Sequence, residues 1–388
     1  MSKLPLPPKG IDLISYADDC TVMISGNNIP QMCSSINSYL SELNTGFNRR
    51  SLKLSTPKSI ATLFTSWTQE LGPGKIDIKI SGTPVPFNEQ VKILDVTFDQ
   101  MLTFNAHAAI VANRMNTRNH VLKSLAGSDW GSEKEVMTMT YKSIGRSVSN
   151  YAAPIWTPLL KDKKYWQKIQ VAQNAALRAI TGCHLMSSQD HLHQETLILP
   201  VKEHNQLLSK QYLAACHMST HPCHNLITIP LPPRNIRNDL RTSFAEDEDI
   251  MALLPNNNTT ISESSYKSII KTLHTNAVIN VTTNYRDNIV LESQPPLIDE
   301  SEKSLTRRTR TTLAQLRSGW SKTLTNYMSR INPEVANICP TCNSTPHDVR
   351  HLFSCPGNPT TLTTNCLWSS PIEAANFLNI IDVNDSND

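Results

Sequence analysis

Residues 15–19, Ser15-Tyr16-Ala17-Asp18-Asp19, set two adjacent carboxylates between apolar runs: Ile11, Leu13 and Ile14 before, Val22, Met23 and Ile24 after. This pattern reads as strand, tight turn, strand, with Asp18 and Asp19 at the tip. A carboxylate pair at a turn tip can face a divalent cation without being buried uncompensated. Metal-assisted phosphoryl transfer uses that arrangement, because the ions clamp the attacking and leaving oxygens. A bare Asp-Asp pair is otherwise an ordinary solvated turn.

Outward from the hairpin, Ile29, Met32, Ile36, Tyr39, Leu40 and Leu43 recur at helical spacing. Residues 60–64 read as a strand, followed by a turn at Gly72-Pro73-Gly74 and the alternating Ile76, Ile78 and Ile80. Residues 91–98 read as a further strand. This β-α-β-β order suits a small antiparallel sheet with a helix on one face. From about residue 103 the pattern turns helical. Val121, Leu122 and Leu125 close one helix, and Val136, Met137, Tyr141, Ile144 and Val148 mark a second. Ile169, Ala172, Ala176, Leu177 and Ile180 mark a third, stopped by Gly182. Residues 229–304 read as a flexible linker, with Pro230, Pro232 and Pro233, an acidic run at 246–249 and a polar run at 256–260. A last helix is expected from about Thr306, with Leu313, Leu316, Trp320, Leu324, Tyr327 and Ile331 as its stripe. The class is α+β.

The chain has 388 residues, enough for two or three modules, and a net charge of only +3. Its charge is uneven. Residues 101–180 hold eleven Lys/Arg against four acids. Residues 303–330 add Lys303, Arg307, Arg308, Arg310, Arg317, Lys322 and Arg330. Both stretches could follow a phosphate backbone or simply solvate helix faces. Nine cysteines, mostly isolated, and no signal peptide or membrane-length apolar run suggest an intracellular protein, nuclear and/or cytoplasmic.

The Tyr-Ala-Asp-Asp tetrad between hydrophobic strands resembles the catalytic palm hairpin of reverse transcriptases. Ala after Tyr is the form seen in non-LTR (LINE-type) retrotransposons. The resemblance implies an RNA-directed DNA polymerase acting on an RNA template and DNA primer. Asp18 and Asp19 would be catalytic Mg²⁺ ligands, with Tyr16 and Ala17 as cofactor-binding neighbours. Leu52-Lys53-Leu54-Ser55-Thr56-Pro57-Lys58-Ser59 looks like the lysine-bearing motif that follows. It casts Lys58 as general acid for the leaving pyrophosphate. Residues 91–99 are similar to the strand after the palm, where the family has Gly and this chain has Asp95. Gly there would allow close approach or a bulge, so Asp95 is either tolerated or a mark of decay. Residues 125–131, including Trp130, with residues 151–156 and 173–182, look like the thumb and post-thumb of jockey-like elements. Their aromatic and small residues read equally well as packing core. The implied organisation is a partial palm at 1–100, a helical thumb at 101–228, the linker, and a C-terminal helix with a small zinc module at 305–388.

That module rests on Cys339, Cys342, His351 and Cys355, spaced Cys-x2-Cys-x8-His-x3-Cys. Cys-x2-Cys puts two thiolates on one side of a tetrahedral Zn²⁺, and one helical turn would aim His351 and Cys355 at the same ion. The spacing resembles the C-terminal CCHC motif of LINE-type proteins. His347 is the rival ligand; helical pairing with Cys355 favours His351. Cys366 is expected to be a free thiol.

A two-metal polymerase site takes carboxylates from two strands. In the family one Asp comes from an earlier palm strand, and only fourteen residues precede Ser15 here. Asp12 does not match that motif. The expectation is a fragment that binds Mg²⁺ weakly and is inactive alone. The alternative is a non-catalytic nucleic-acid-binding remnant using the basic thumb and zinc module, or a pseudogene product. No feature of the sequence sets the oligomeric state.

Overall fold

The computed structural model describes residues 4–70, 74–127, 131–228, 240–254 and 260–381. Gly72, Pro73, Trp130, the three linker prolines and residues 256–259 lie outside the described residues. The chain divides into a unit of residues 1–107 and a unit of residues 108–388.

In the first unit, strands β1 (Ile11–Tyr16) and β2 (Asp19–Ile24) pair antiparallel, from Ile11 opposite Ile24 to Tyr16 opposite Asp19. Period-two alternation splits the hairpin into two faces. Ile11, Leu13, Cys20, Val22 and Ile24 pack with Tyr39, Leu43 and Phe47 of helix α1 (Ile29–Asn48). The other face carries Asp12, Ile14, Tyr16, Asp19, Thr21 and Met23; Ile14 and Tyr16 are exposed. The Asn28 side chain accepts the Gln31 N–H, and Pro30 occupies the first turn, so α1 starts where its cap and proline dictate.

The expected single small sheet is instead three two-stranded hairpins among the described residues. Strands β3 (Lys79–Ile80) and β4 (Thr83–Pro84) form the second, and β5 (Gln90–Ile93) and β6 (Val96–Asp99) the third. Residues 60–64 contribute only an isolated bridge, Ala61 to Phe87. Pro84 and Pro86 near that bridge lack donors, so the ladder cannot extend.

Residues 91–98 are not one strand but a hairpin. Leu94 and Asp95 form its two-residue turn, with φ of +45° and +67°. Asp95 therefore stands at a turn position that needs positive φ. Asp is among the side chains that tolerate it best, and Lys92 pairs with Asp95 at 2.5 Å. Asp99 then accepts from the Thr103 and Phe104 N–H groups at 2.9 and 2.7 Å, turning the chain into helix α2 (Asn105–Ser124).

In the second unit, helix α3 (Lys134–Thr140) continues through a π-helical turn, Tyr141–Arg146, to Asn150. The Lys163–Thr181 helix follows, capped by Asp162 and ended by Gly182 at φ +71°. Leu122, Met137, Tyr141, Ala176, Leu177, Ile180 and Leu192 form its core with Ala314. A Cβ on Gly182 would lie 2.3 Å from Thr311 Cγ2, so this glycine ends one helix and admits another. Residues beyond 304 therefore fold with the preceding helices rather than apart from them.

The described part of the expected linker is largely structured. The Glu263–Thr282 helix buries Ile269, Leu273 and Val281 with Leu207 and Leu213 of the Val201–Cys216 helix. Its stripe is diluted by Ser, Thr and Asn, which hid it from periodicity. The expected last helix is two. Thr306 caps Arg307–Arg317, Gly319 at φ +75° breaks the run, and Thr325–Ile331 resumes it. No helix among the described residues is long and apolar enough to cross a membrane.

Candidate functional site

The hairpin register sets the carboxylates. Ala17 and Asp18 are the turn residues, and Asp19 is the first residue of β2. Asp19 thus shares the uncovered face with Tyr16, which is 66% exposed, while Asp18 stands at the tip. Ala17 has φ +51°, a conformation that costs an L-residue about 1–2 kcal/mol. Strain of this kind is held in place only by a well-formed surrounding hairpin. Among the described residues, no third His, Cys, Asp or Glu joins Asp18 and Asp19. Two exposed carboxylates fit a weakly held, mostly hydrated hard cation. Lys58 ends a short 3₁₀ turn, Thr56–Lys58, and its side chain is exposed. Leu54, four residues earlier, packs into the hairpin–α1 core and ties the lysine segment to that layer.

In the second unit, Cys339, Cys342, His351 and Cys355 bring one ligand atom each into a group spanning no more than 4.8 Å. Cys339 Sγ and Cys355 Sγ are 3.8 Å apart, and Cys342 Sγ and His351 Nε2 are 3.2 Å apart. A tetrahedral ion with metal–sulfur bonds of about 2.3 Å has sulfurs about 3.8 Å apart, so the donor set fits zinc. The loop folds locally: Cys339 N–H donates to Ser344 O, and Asn343 N–H to Cys339 O with Asn343 at φ +59°. Asp348 caps the Val349–Ser354 helix by accepting the His351 N–H at 2.9 Å. Burial works against ionising Cys339, but N–H groups of Cys342 and Thr341 bring its thiol down to about 6. His347 stands outside the group. Its Nδ1 accepts from Thr325 N–H at 3.1 Å, anchoring the Thr325–Ile331 helix.

The cluster is embedded. Val349 and Phe353, one turn apart, bury themselves with Leu313, Leu316, Leu324, Tyr327 and Trp368. All four positions offer protein donors, which describes a closed, structural type of metal site.

The basic stretch at 303–330 is corrected in part. Arg307 is buried and donates to the carbonyls of Gly127, Ser132, Ala179 and Ile180. Arg310 is paired with Glu133 and, at 2.5 Å, with Glu135. Fully buried Arg317 meets Glu195 at 3.2 Å and also Glu302. Burial alone would raise Glu195, but Lys134 and Arg317 hold it well below the usual carboxylate range. These arginines join distant segments and cannot follow a phosphate backbone. A signal was available: Arg310 and Arg317 share the helix face of Leu313 and Ala314. Lys161, Lys163, Lys164 and Lys168, by contrast, are exposed.

The chain is similar to RNA-directed DNA polymerases of non-LTR retrotransposons. It is 29% identical over 246 residues to the probable RNA-directed DNA polymerase from transposon BS of Drosophila melanogaster, covering 62% of this chain and 26% of that protein. The X-element polymerase of the same organism is 23% identical, covering 58% and 24%. The RNA-directed DNA polymerase from mobile element jockey, also of Drosophila melanogaster, is 20% identical, covering 54% and 22%. The chain spans about a quarter of the length of these relatives. No family model and no solved structure matches.

Proposed function

We propose that this chain carries the Tyr-Ala-Asp-Asp end of a reverse-transcriptase palm and the helical region behind it, from a non-LTR retrotransposon RNA-directed DNA polymerase. The observation that carries this reading is the tight hairpin presenting Asp18 and Asp19 uncovered, in a chain similar over 62% of its length to the transposon BS polymerase. Asp18 and Asp19 are the Mg²⁺ ligands, flanked by Tyr16 and Ala17 at the nucleotide. Divalent cations held there supply the charge that activates the attacking oxygen and stabilises the leaving one. Lys58 donates a proton toward the leaving pyrophosphate. RNA template and DNA primer are the partners, gripped by the helices after residue 101 acting as a thumb. Cys339, Cys342, His351 and Cys355 hold Zn²⁺. Nine cysteines without a disulfide among them fit an intracellular setting, nuclear or cytoplasmic.

Two carboxylates without a third donor among the described residues make a half-site. Primer extension by the purified 388-residue chain, with Mg²⁺ or Mn²⁺, is expected to be negligible. Robust extension would overturn the half-site. Mn²⁺ is expected to broaden resonances of Tyr16 to Asp19 at millimolar concentration, and Asp18→Asn with Asp19→Asn to abolish the effect. Broadening that survives the double variant would remove these residues from the metal site.

The lack of a third donor also favours a second reading, a non-catalytic nucleic-acid binder that uses the exposed lysines 161–168 and the zinc region. Its binding would weaken steeply with salt, because phosphate neutralisation releases counterions.

A further inference from the structure

Residues 43–69 contain four basic residues, Arg49, Arg50, Lys53 and Lys58, and no acid. The same stretch ends on two uncovered aromatics, Phe64 at 44% and Trp67 at 69% exposure. One side of the segment is pinned. Leu54 enters the hairpin–α1 core, Ala61 bridges Phe87, and the Leu63 carbonyl accepts from Gln100 Nε2 at 3.1 Å. Thr65 N–H donates to Gln100 O at 3.1 Å. Arg49, Lys53, Lys58, Phe64 and Trp67 are left facing solvent.

A lone exposed aromatic needs no explanation. Two aromatics three residues apart, at the end of an acid-free basic run on a pinned backbone, are a different combination. Cations at intervals neutralise phosphates, and ring faces stack on bases regardless of sequence. A duplex offers phosphates but keeps its bases stacked internally, so the rings select a single strand.

We infer that residues 49–67 form a binding strip for single-stranded nucleic acid, with Trp67 and Phe64 stacking on bases and Arg49 and Lys53 on the backbone. The choice of a nucleic acid as occupant rests on the proposed polymerase reading. Because Leu54 ties the strip to the layer that holds Asp18 and Asp19, it would guide an unpaired strand toward the carboxylate hairpin.

The test uses the full chain and fluorescence anisotropy with labelled oligothymidine, an abasic strand of equal length, and a duplex. Trp67→Ala is expected to weaken oligothymidine binding roughly tenfold, and Trp67→Phe to restore most of it. The same variant should change abasic and duplex binding less than about twofold. Arg49→Gln with Lys53→Gln should lower the salt slope by about 1.4, two phosphates at roughly 0.7 each. Melting curves confirm that the variants fold. Tight wild-type binding that Trp67→Ala leaves unchanged, or weakens equally on the abasic strand, overturns the strip and leaves the polymerase reading standing. No binding of any nucleic acid by the wild type overturns both. If Trp67→Ala instead abolishes self-association in sedimentation without altering oligonucleotide affinity, the patch joins copies of this chain and the inference fails.

Discussion

The thiol cluster and the carboxylate hairpin are both candidate metal sites, and they differ in how completely the chain encloses them. Around Cys339, four donors converge from within seventeen residues, and the helix that supplies His351 is rooted in a core with Leu313 and Trp368. Around Asp18, two donors are neighbours in the chain, stand exposed, and have a covered face only on the side away from Tyr16 and Asp19. The first arrangement suits a permanent ion that holds structure. The second suits an ion shared with a substrate.

The contrast is sharpest when the metal is taken away. Chelation, or Cys339→Ser with Cys342→Ser, is expected to destabilise the C-terminal region by on the order of 5 kcal/mol. Thermal unfolding with zinc analysis checks this; an unchanged melting curve would show that the core holds the cluster rather than the reverse. Next in size is the buried ion-pair set beside that core. Glu302→Ala leaves Arg317 buried with Glu195 alone and should cost about 3–5 kcal/mol by urea unfolding.

Acid should act on the second unit too. Burial pushes His193 down to about 4, outweighing its bond from Nδ1 to Ile198 O at 2.6 Å. Unfolded, the imidazole titrates near 6.5. Stability is therefore full above about 6.5 and is lost as pH falls toward 4, by up to about 3 kcal/mol. His193→Gln should flatten that part of a urea-midpoint series between pH 7 and 4.

On the open side of the comparison, effects on stability should be small. Asp95→Gly relieves a positive φ but loses the exposed pair with Lys92, so a gain under about 1 kcal/mol is expected. Asp18→Asn with Asp19→Asn should move the melting point least of all, since neither side chain is buried. A large loss there would mean that the hairpin is held by its carboxylates and not by its α1-facing side.

Much of the fold was legible where neighbours in sequence set the geometry. Alternation marked β1 and β2, Gly182 marked the end of the Lys163–Thr181 helix, and the Cys-x2-Cys and His-x3-Cys spacings lie within the four-ligand group. The turn at Leu94-Asp95 reads as strand in the sequence because a continuous apolar run looks the same whether straight or folded back. The Glu263–Thr282 helix escapes periodicity because its stripe is thin, and Arg307, Arg310 and Arg317 look like surface residues in the sequence because charge is usually solvated.

By itself, the sequence determined a carboxylate hairpin, a helix to cover one side of it, a Cys3His motif and a likeness to retrotransposon polymerases. Those features couple residues a few positions apart, where backbone geometry leaves little freedom. Only the tertiary structure decided that Glu195 and Glu302 bury Arg317 and that four distant carbonyls engage Arg307. Those partners are separated by as many as 180 positions, and nothing in local spacing encodes such a meeting; only the packing of helix on helix brings the charges together.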